Sequence, residues 1–144
     1  MPLSDADTAL VDLIAAGRNG VLVALKKDGR PQLSNISYAY YPDQALIKVS
    51  ITATRAKYHN LKRDPRASLY VTSPDFWSYV VAEGTAELSE VAADPQDSAV
   101  DELIEVYRTI GGEHPDWDDY RRAMVADQRV VLRLKIDRVY GQAQ

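Results

Sequence analysis

Cysteine is absent from the 144 residues. That excludes disulfides, thiolate metal sites and cysteine nucleophiles, and nothing in the chain calls for an oxidising compartment. Histidine occurs only as His59 and His114, far apart in sequence and without partners at ligand spacing, so no metal site is expected. No apolar run approaches the roughly 20 residues of a membrane span. The first residues carry Asp5, Asp7 and Asp12, where a signal peptide wants basic residues and then an unbroken apolar run; a cytoplasmic address is therefore expected. Also missing are the GxGxxG and GxxxxGK[ST] phosphate loops, the GxSxG elbow and an EF-hand spacing, so Rossmann, P-loop, esterase and calcium readings have no support. Any phosphate must be held some other way.

What is present is an uneven charge. The formal net charge is −4, yet residues 26–66 hold nine Lys/Arg against Asp28, Asp43 and Asp64, a local +6 that leaves −10 for the remainder. A basic region on an acidic chain suits a small anionic ligand; nucleic acid would call for a basic balance over the whole domain.

The length fits one domain, residues 1–144. A helix is expected from Ser4, its cap, to Ala16, with Leu10, Val11, Leu13 and Ile14 at helical spacing and Gly17 as its stop. The period then changes to that of strands over 20–27, 31–40 and 44–52, with turns at Asp28-Gly29 and Pro42-Asp43. In the third strand Lys48, Ser50 and Thr52 share one face, and Ile47, Val49 and Ile51 the other. A short helix at 55–63 follows, then a strand at 66–73. A long strand runs from Phe76 to about Glu90, interrupted at Gly84 as by a bulge. An amphipathic helix stopped by Gly111-Gly112, a second helix opened by Pro115-Asp116 and a closing strand complete the chain. In the second of these helices Trp117 and Tyr120 read as helix-to-barrel packing. About six mostly antiparallel strands with small helices between them indicate an α+β barrel or sandwich.

The stretch "ITATRAKYHNLKRDPRASLYV" is anomalous. Arg55 and Lys57 fall just after Thr54, in what should be the first turn of a helix, where the dipole favours Asp and Glu. The placement costs roughly 0.3–1 kcal/mol per cation with nothing bound and becomes favourable once a phosphate or carboxylate docks there. Either the two side chains bend into solvent or an anion completes the site. Lys62 and Arg63 need no such account, because they complement the C-terminus of the same helix.

The segments "DGRPQLSNISY", "QALIKVSITATRAKYHNLKRDPRASLYV", "WSYVVAEGTAEL" and "EHPDWDDYRRAMVADQRVVLRLKIDRVYG" resemble, in order and over nearly the whole chain, the actinobacterial pyridoxamine 5′-phosphate oxidase-like proteins. The resemblance is to their flavin/deazaflavin oxidoreductase B group, whose members use coenzyme F420 in place of FMN. It implies a split, FMN-binding-protein-like β-barrel of six mostly antiparallel strands with small peripheral helices, forming a homodimer with two cofactor grooves between subunits. It further implies that Arg55 and Lys57 meet the phosphate and acidic tail of the cofactor, with Thr54 beside them. Ser50 and Thr52 would line its ring or ribityl chain, Gln32 and Asn35 would lie near the groove, and a second subunit would supply Trp77, Ser78 and Tyr79. The implied activity is hydride transfer from reduced F420 to a conjugated small-molecule acceptor. No catalytic side chain is singled out: protons could come from solvent, from Tyr38 or from Tyr79. Two other functions stay open, an FMN-dependent pyridoxamine phosphate oxidase-like enzyme and a non-catalytic dimeric carrier or sensor of F420.

Overall fold

Two strands that neighbour each other in sequence lie at opposite edges of one sheet, and this decides the architecture. In a computed structural model describing residues 5–143, helix α1 (Asp5–Ala16) precedes strands β1 (Asn19–Leu25), β2 (Pro31–Ser37), β3 (Ala39–Tyr41) and β4 (Leu46–Thr52). Helix α2 (Ala56–Arg63), β5 (Arg66–Thr72), β6 (Tyr79–Leu88), α3 (Ser98–Gly111), α4 (Trp117–Ala126) and β7 (Arg129–Gln142) follow. The sheet order is β2-β1-β5-β6-β7-β4-β3, and all its pairings are antiparallel. Only Tyr38 separates β2 at one edge from β3 at the other. A flat sheet cannot place one residue at both edges, so this one curls into a barrel whose seam stays unpaired between β2 and the far end of β4.

Among the described residues there are seven strands where six were expected. The difference is the single strand expected over 31–40: β2 pairs with β1, and the chain hands over at Tyr38 to β3, which pairs with β4 through Ala39↔Lys48 to Tyr41↔Leu46. The long strand starts at Tyr79 rather than Phe76, because Ser73 N donates to Ser78 O at 2.9 Å and keeps residues 74–77 in the hairpin loop. The bulge at Gly84 is present, between Glu83 and Gly84. Ser4, expected as the cap of α1, lies outside the described residues.

Alternation along β4 sends Ile47, Val49 and Ile51 inward, where each is about 1% exposed or less, and leaves Lys48, Ser50 and Thr52 half-buried on the outer face. Leu22, Leu69, Val80, Leu132 and Leu134 fill the same interior, and Leu10 and Ile14 of α1 pack into it. Each fully buried Leu, Ile or Val side chain contributes about 1.5–3 kcal/mol relative to exposure. Tyr38 points into this core, its hydroxyl donating to the Ile14 carbonyl at 2.7 Å.

A second core covers the outer face of β3, β4 and β7. Val100, Leu103, Ile104 and Val106 of α3 and Tyr120 and Met124 of α4 close over Ala39 and Val131. The rings of Trp117 and Tyr120, expected to pack on the barrel, meet α3 instead, edge to face with each other and with Tyr107 at centroid separations of 5.1–5.6 Å. Charge fixes α3 from beneath. Glu102 bonds Arg133 of β7, with Nε to Oε2 at 2.7 Å, and pairs with Lys48 of β4 at 3.2 Å. The Arg133 hydrogen bonds hold the Glu102 carboxyl below its ordinary range. Gly112, at φ 83, then ends α3 in the left-handed region that glycine tolerates. The C-terminal turn of α3 is thereby placed beside the barrel seam.

Candidate functional site

Along that seam runs a groove of about 370 Å³, walled by residues 35–37 of β2 and 50–52 of β4, with Arg55, Lys57, Ile110 and Arg129 around it. Neither wall has a strand partner on its groove side: β2 pairs with β1 alone, and β3 covers β4 only from Leu46 to Lys48. The groove is therefore a consequence of incomplete closure, with backbone edges as well as side chains available to a ligand.

Its cationic end is built by three elements. Helix α2 begins at Ala56 with Arg55 as an extended N-cap residue, no side chain caps it, and no acid occupies its first turn. Lys57 leans back toward β2, its Nζ donating to Ser34 Oγ at 3.2 Å. Arg129 opens β7 directly across from Thr52 and sends Nη1 to Ser50 Oγ at 3.5 Å. Arg129 Nε is buried and has no hydrogen-bond partner among the described residues; the half-exposed Asp127 carboxylate is 3.9 Å away, too far to serve. Desolvation, followed by repulsion from Arg55 and Arg129, pushes the Lys57 ammonium below its ordinary value. Three cations with one exposed carboxylate at the rim, and an orphaned buried guanidinium N–H, form a site that is stabilised when an anion enters.

Asn35, Ser50, Thr52, Arg55 and Lys57 come together here. Gln32 does not. It faces the barrel interior opposite Ala24, and its Oε1 accepts from Asn60 Nδ2 at 3.2 Å, bracing α2 from behind. Thr54 is exposed in the turn before α2 and is not part of the groove wall. Trp77, Ser78 and Tyr79 are on the β5–β6 hairpin and line no part of this groove. Ser78 is buried, Trp77 is 71% exposed, and Tyr79 stacks on Tyr70 at 5.7 Å. Tyr38 is no proton source for the groove: its hydroxyl is engaged in the core, and burial pushes its pKa up to about 12.

Sequence reasoning missed Arg129 and Ile110. Arg129 stands 77 positions from Thr52 in the chain, and only the β4–β7 register brings them together. Arg129→Met is expected to weaken binding of a phosphate-bearing ligand by about 1.5–3 kcal/mol, the range for a charge-assisted hydrogen bond. The melting temperature should hold or rise, since a repelling charge and an orphaned donor are removed; isothermal titration and calorimetry on the same variant check both.

The fold and the site together define an antiparallel split barrel with a cationic groove along its open seam. A sequence profile of the pyridoxamine 5′-phosphate oxidase family matches residues 6–143, and the chain belongs to that family. Among solved structures, it is similar to Rv2991, a conserved hypothetical protein from Mycobacterium tuberculosis, at 25% identity and a TM-score of 0.72, covering 99% of this chain and 86% of the other. It is also similar to a protein described as an F420 reductase, at 21% identity and a TM-score of 0.66, covering 96% and 98%. A third, described as an FAD-binding protein from Mesorhizobium loti, matches at 22% identity and a TM-score of 0.66, covering 96% and 92%. At the identities of the last two, the likeness is one of fold. Among the described residues no helix is long and apolar enough to cross a membrane.

Proposed function

We propose that this protein is an F420-dependent reductase of the deazaflavin-using branch of the family, passing hydride to a conjugated small-molecule acceptor. The observation that carries the reading is the trio Arg55, Lys57 and Arg129 around a groove with a single exposed carboxylate at its rim. Two cations already match the charge of a phosphate monoester; a third, whose Nε makes no hydrogen bond among the described residues, suits a ligand whose tail carries carboxylates beyond the phosphate. When bound, the deazaflavin supplies a two-electron hydride donor of low potential. The chain's own residues then bind and orient. Arg55 and Lys57 anchor the anionic end at the α2 N-terminus, Ser50 and Thr52 present hydroxyls along the groove wall, and Asn35 presents its amide from the opposite wall. No Asp, Glu or His lines the groove, so the proton that accompanies reduction comes from solvent or from Tyr79. The segment 77–79 completes the groove from a second subunit in a homodimer.

Titration of the purified protein with F420 and FMN, followed by oxidation of reduced F420 against quinone, enone and nitro acceptors, tests the proposal. F420 binding tighter than FMN with turnover of one acceptor class is expected. FMN binding tighter than F420 would favour the oxidase alternative, and F420 binding without turnover would leave a carrier.

The Lys57 shift adds a pH signature. An anion binds best to protonated Lys57, so affinity is full below the lysine's pKa in the free protein and falls as pH rises through it. Because that pKa is lowered from 10.5, the loss should begin at a lower pH than for an ordinary lysine. Lys57→Arg, which stays charged, should abolish the alkaline loss of F420 affinity.

A further inference from the structure

Of the six lysines, Lys26, Lys27, Lys62 and Lys135 are exposed, and only Lys48 and Lys57 are half-buried. The surroundings of these two are opposite. Lys48 pairs with Glu102 at 3.2 Å and with Glu105 at 3.4 Å. Against desolvation, which would lower it, the bond to Glu102 and the charges of Glu102 and Glu105 raise its ammonium above the ordinary value. Lys57 has no carboxylate partner among the described residues. Arg55 precedes it at the α2 N-cap, Arg129 stands across the groove at the start of β7, and the rim carboxylate of Asp127 is directed at Arg129. Burial first, and then the two guanidiniums, therefore favour the uncharged amine, the form whose lone pair is nucleophilic. The amine is also held in place, with Ser34 Oγ 3.2 Å from Nζ.

We propose that Lys57 is a modification site, acylated by small acyl phosphates that dock their phosphate on Arg55 and Arg129. In the step, Lys57 Nζ attacks the acyl carbonyl carbon and the bond from that carbon to the phosphate oxygen breaks. Inorganic phosphate leaves on the guanidiniums, and the proton lost by the nitrogen goes to solvent. The donor class follows from the compactness of the cluster. Both arginines act on the charge of Lys57, so the anchored phosphate and the electrophile must be close together. In an acyl phosphate they share an oxygen; a donor with a remote phosphate would leave its carbonyl far from Nζ. Two guanidiniums offset the two charges of such a donor, so docking does not drive the amine back to ammonium. Arg129 Nε, buried and without a hydrogen-bond partner among the described residues, is a donor that the phosphate can satisfy. The product is a neutral amide where one of three cations stood, which switches off anion binding in the groove. The switch rests on the cofactor reading above; the acylation does not.

Incubation of the full chain with acetyl phosphate, with each lysine followed by peptide mass spectrometry, tests the site. Lys57 is expected to be acetylated at least about tenfold faster than Lys62 of the same helix, and Lys48, held as ammonium, more slowly than either. The Lys57 rate should saturate with acetyl phosphate and fall when inorganic phosphate is added, while Lys62 shows neither effect. Arg129→Met should slow Lys57 and leave Lys62 unchanged. Equal rates at Lys57 and Lys62, or labelling of Lys57 that neither saturates nor yields to inorganic phosphate, overturns the assignment. The acetylated protein and Lys57→Gln should lose about tenfold or more in F420 affinity, the effect of one charge-assisted contact. Lys57→Arg should keep its affinity and be indifferent to acetyl phosphate. Undiminished F420 affinity after acetylation overturns the switch. Selective, saturable acetylation of a protein that binds neither F420 nor FMN leaves the modification standing and removes the cofactor reading; tight F420 binding with unselective labelling removes the modification alone.

Discussion

Arg55→Ala combined with Lys57→Ala should weaken F420 binding by about 3–6 kcal/mol, two charge-assisted contacts at 1.5–3 kcal/mol each. The fold should not suffer. In the ligand-free protein neither cation has an acidic partner among the described residues, no side chain caps α2, and Arg55 and Arg129 both disfavour the charge on Lys57. Removing two cations from a helix N-terminus should even stabilise the protein by up to about 1 kcal/mol each. Loss of affinity with a maintained or raised melting temperature distinguishes a functional site from a structural one. The dependence of affinity on salt should flatten as well, since screening acts on the charges removed. Equal F420 affinity in the double variant and the unaltered protein would take α2 out of the site.

Gly84→Ala should be the most damaging conservative change in the barrel wall. A Cβ there would stand 1.9 Å from the Lys135 carbonyl oxygen and 2.8 Å from the carbonyl carbon, both backbone atoms that cannot rotate aside. The clash comes from the bulge: Glu83 pairs with Arg138 and Gly84 with Ile136, so Asp137 is left over and β7 is drawn tight against β6. Overpacking against backbone in a central pair of strands is expected to cost about 3 kcal/mol, seen as a fall of about 6–12 °C in melting temperature. Gly29→Ala is the internal comparison. Its φ of 89 strains an alanine, but nothing lies within 4 Å of the added atom, so its cost should stay near 1 kcal/mol. A Gly84→Ala protein as stable as the Gly29→Ala one would show that the β6–β7 bulge yields more readily than its geometry implies.

The parts of this structure legible in sequence were those with a local cause. Alternation alone divides β4 into its core and groove faces, Gly84 announces a bulge in an otherwise unbroken strand, and a cationic first turn in α2 contradicts the helix dipole without any tertiary information. The misplaced parts depend on partners remote in the chain. Nothing in "PQLSNISYAY" marks the hand-over at Tyr38, because alternation continues through it; the break exists only because β1 and β4 claim successive halves. The same strand parity would have separated Gln32 from Asn35, which are three positions apart and so on opposite faces. Arg129 could not be found from its neighbours, since an arginine opening a strand is unremarkable until the register sets it against Thr52. The hairpin loop was cut short for a subtler reason: Pro74-Asp75 signals the turn, but closure between Ser73 and Ser78 keeps Phe76 and Trp77 in it as well.

The walls of the groove are the edge strand β2 and the stretch of β4 that β3 leaves uncovered, and no ladder of backbone bonds stitches them. At one end the chain itself joins them through Tyr38 and β3; elsewhere their separation is set by the curvature of the sheet from β1 round to β7, so a ligand seated there would work as a clasp. It would tie the ends of the barrel together and transmit stiffness to strands that never touch it.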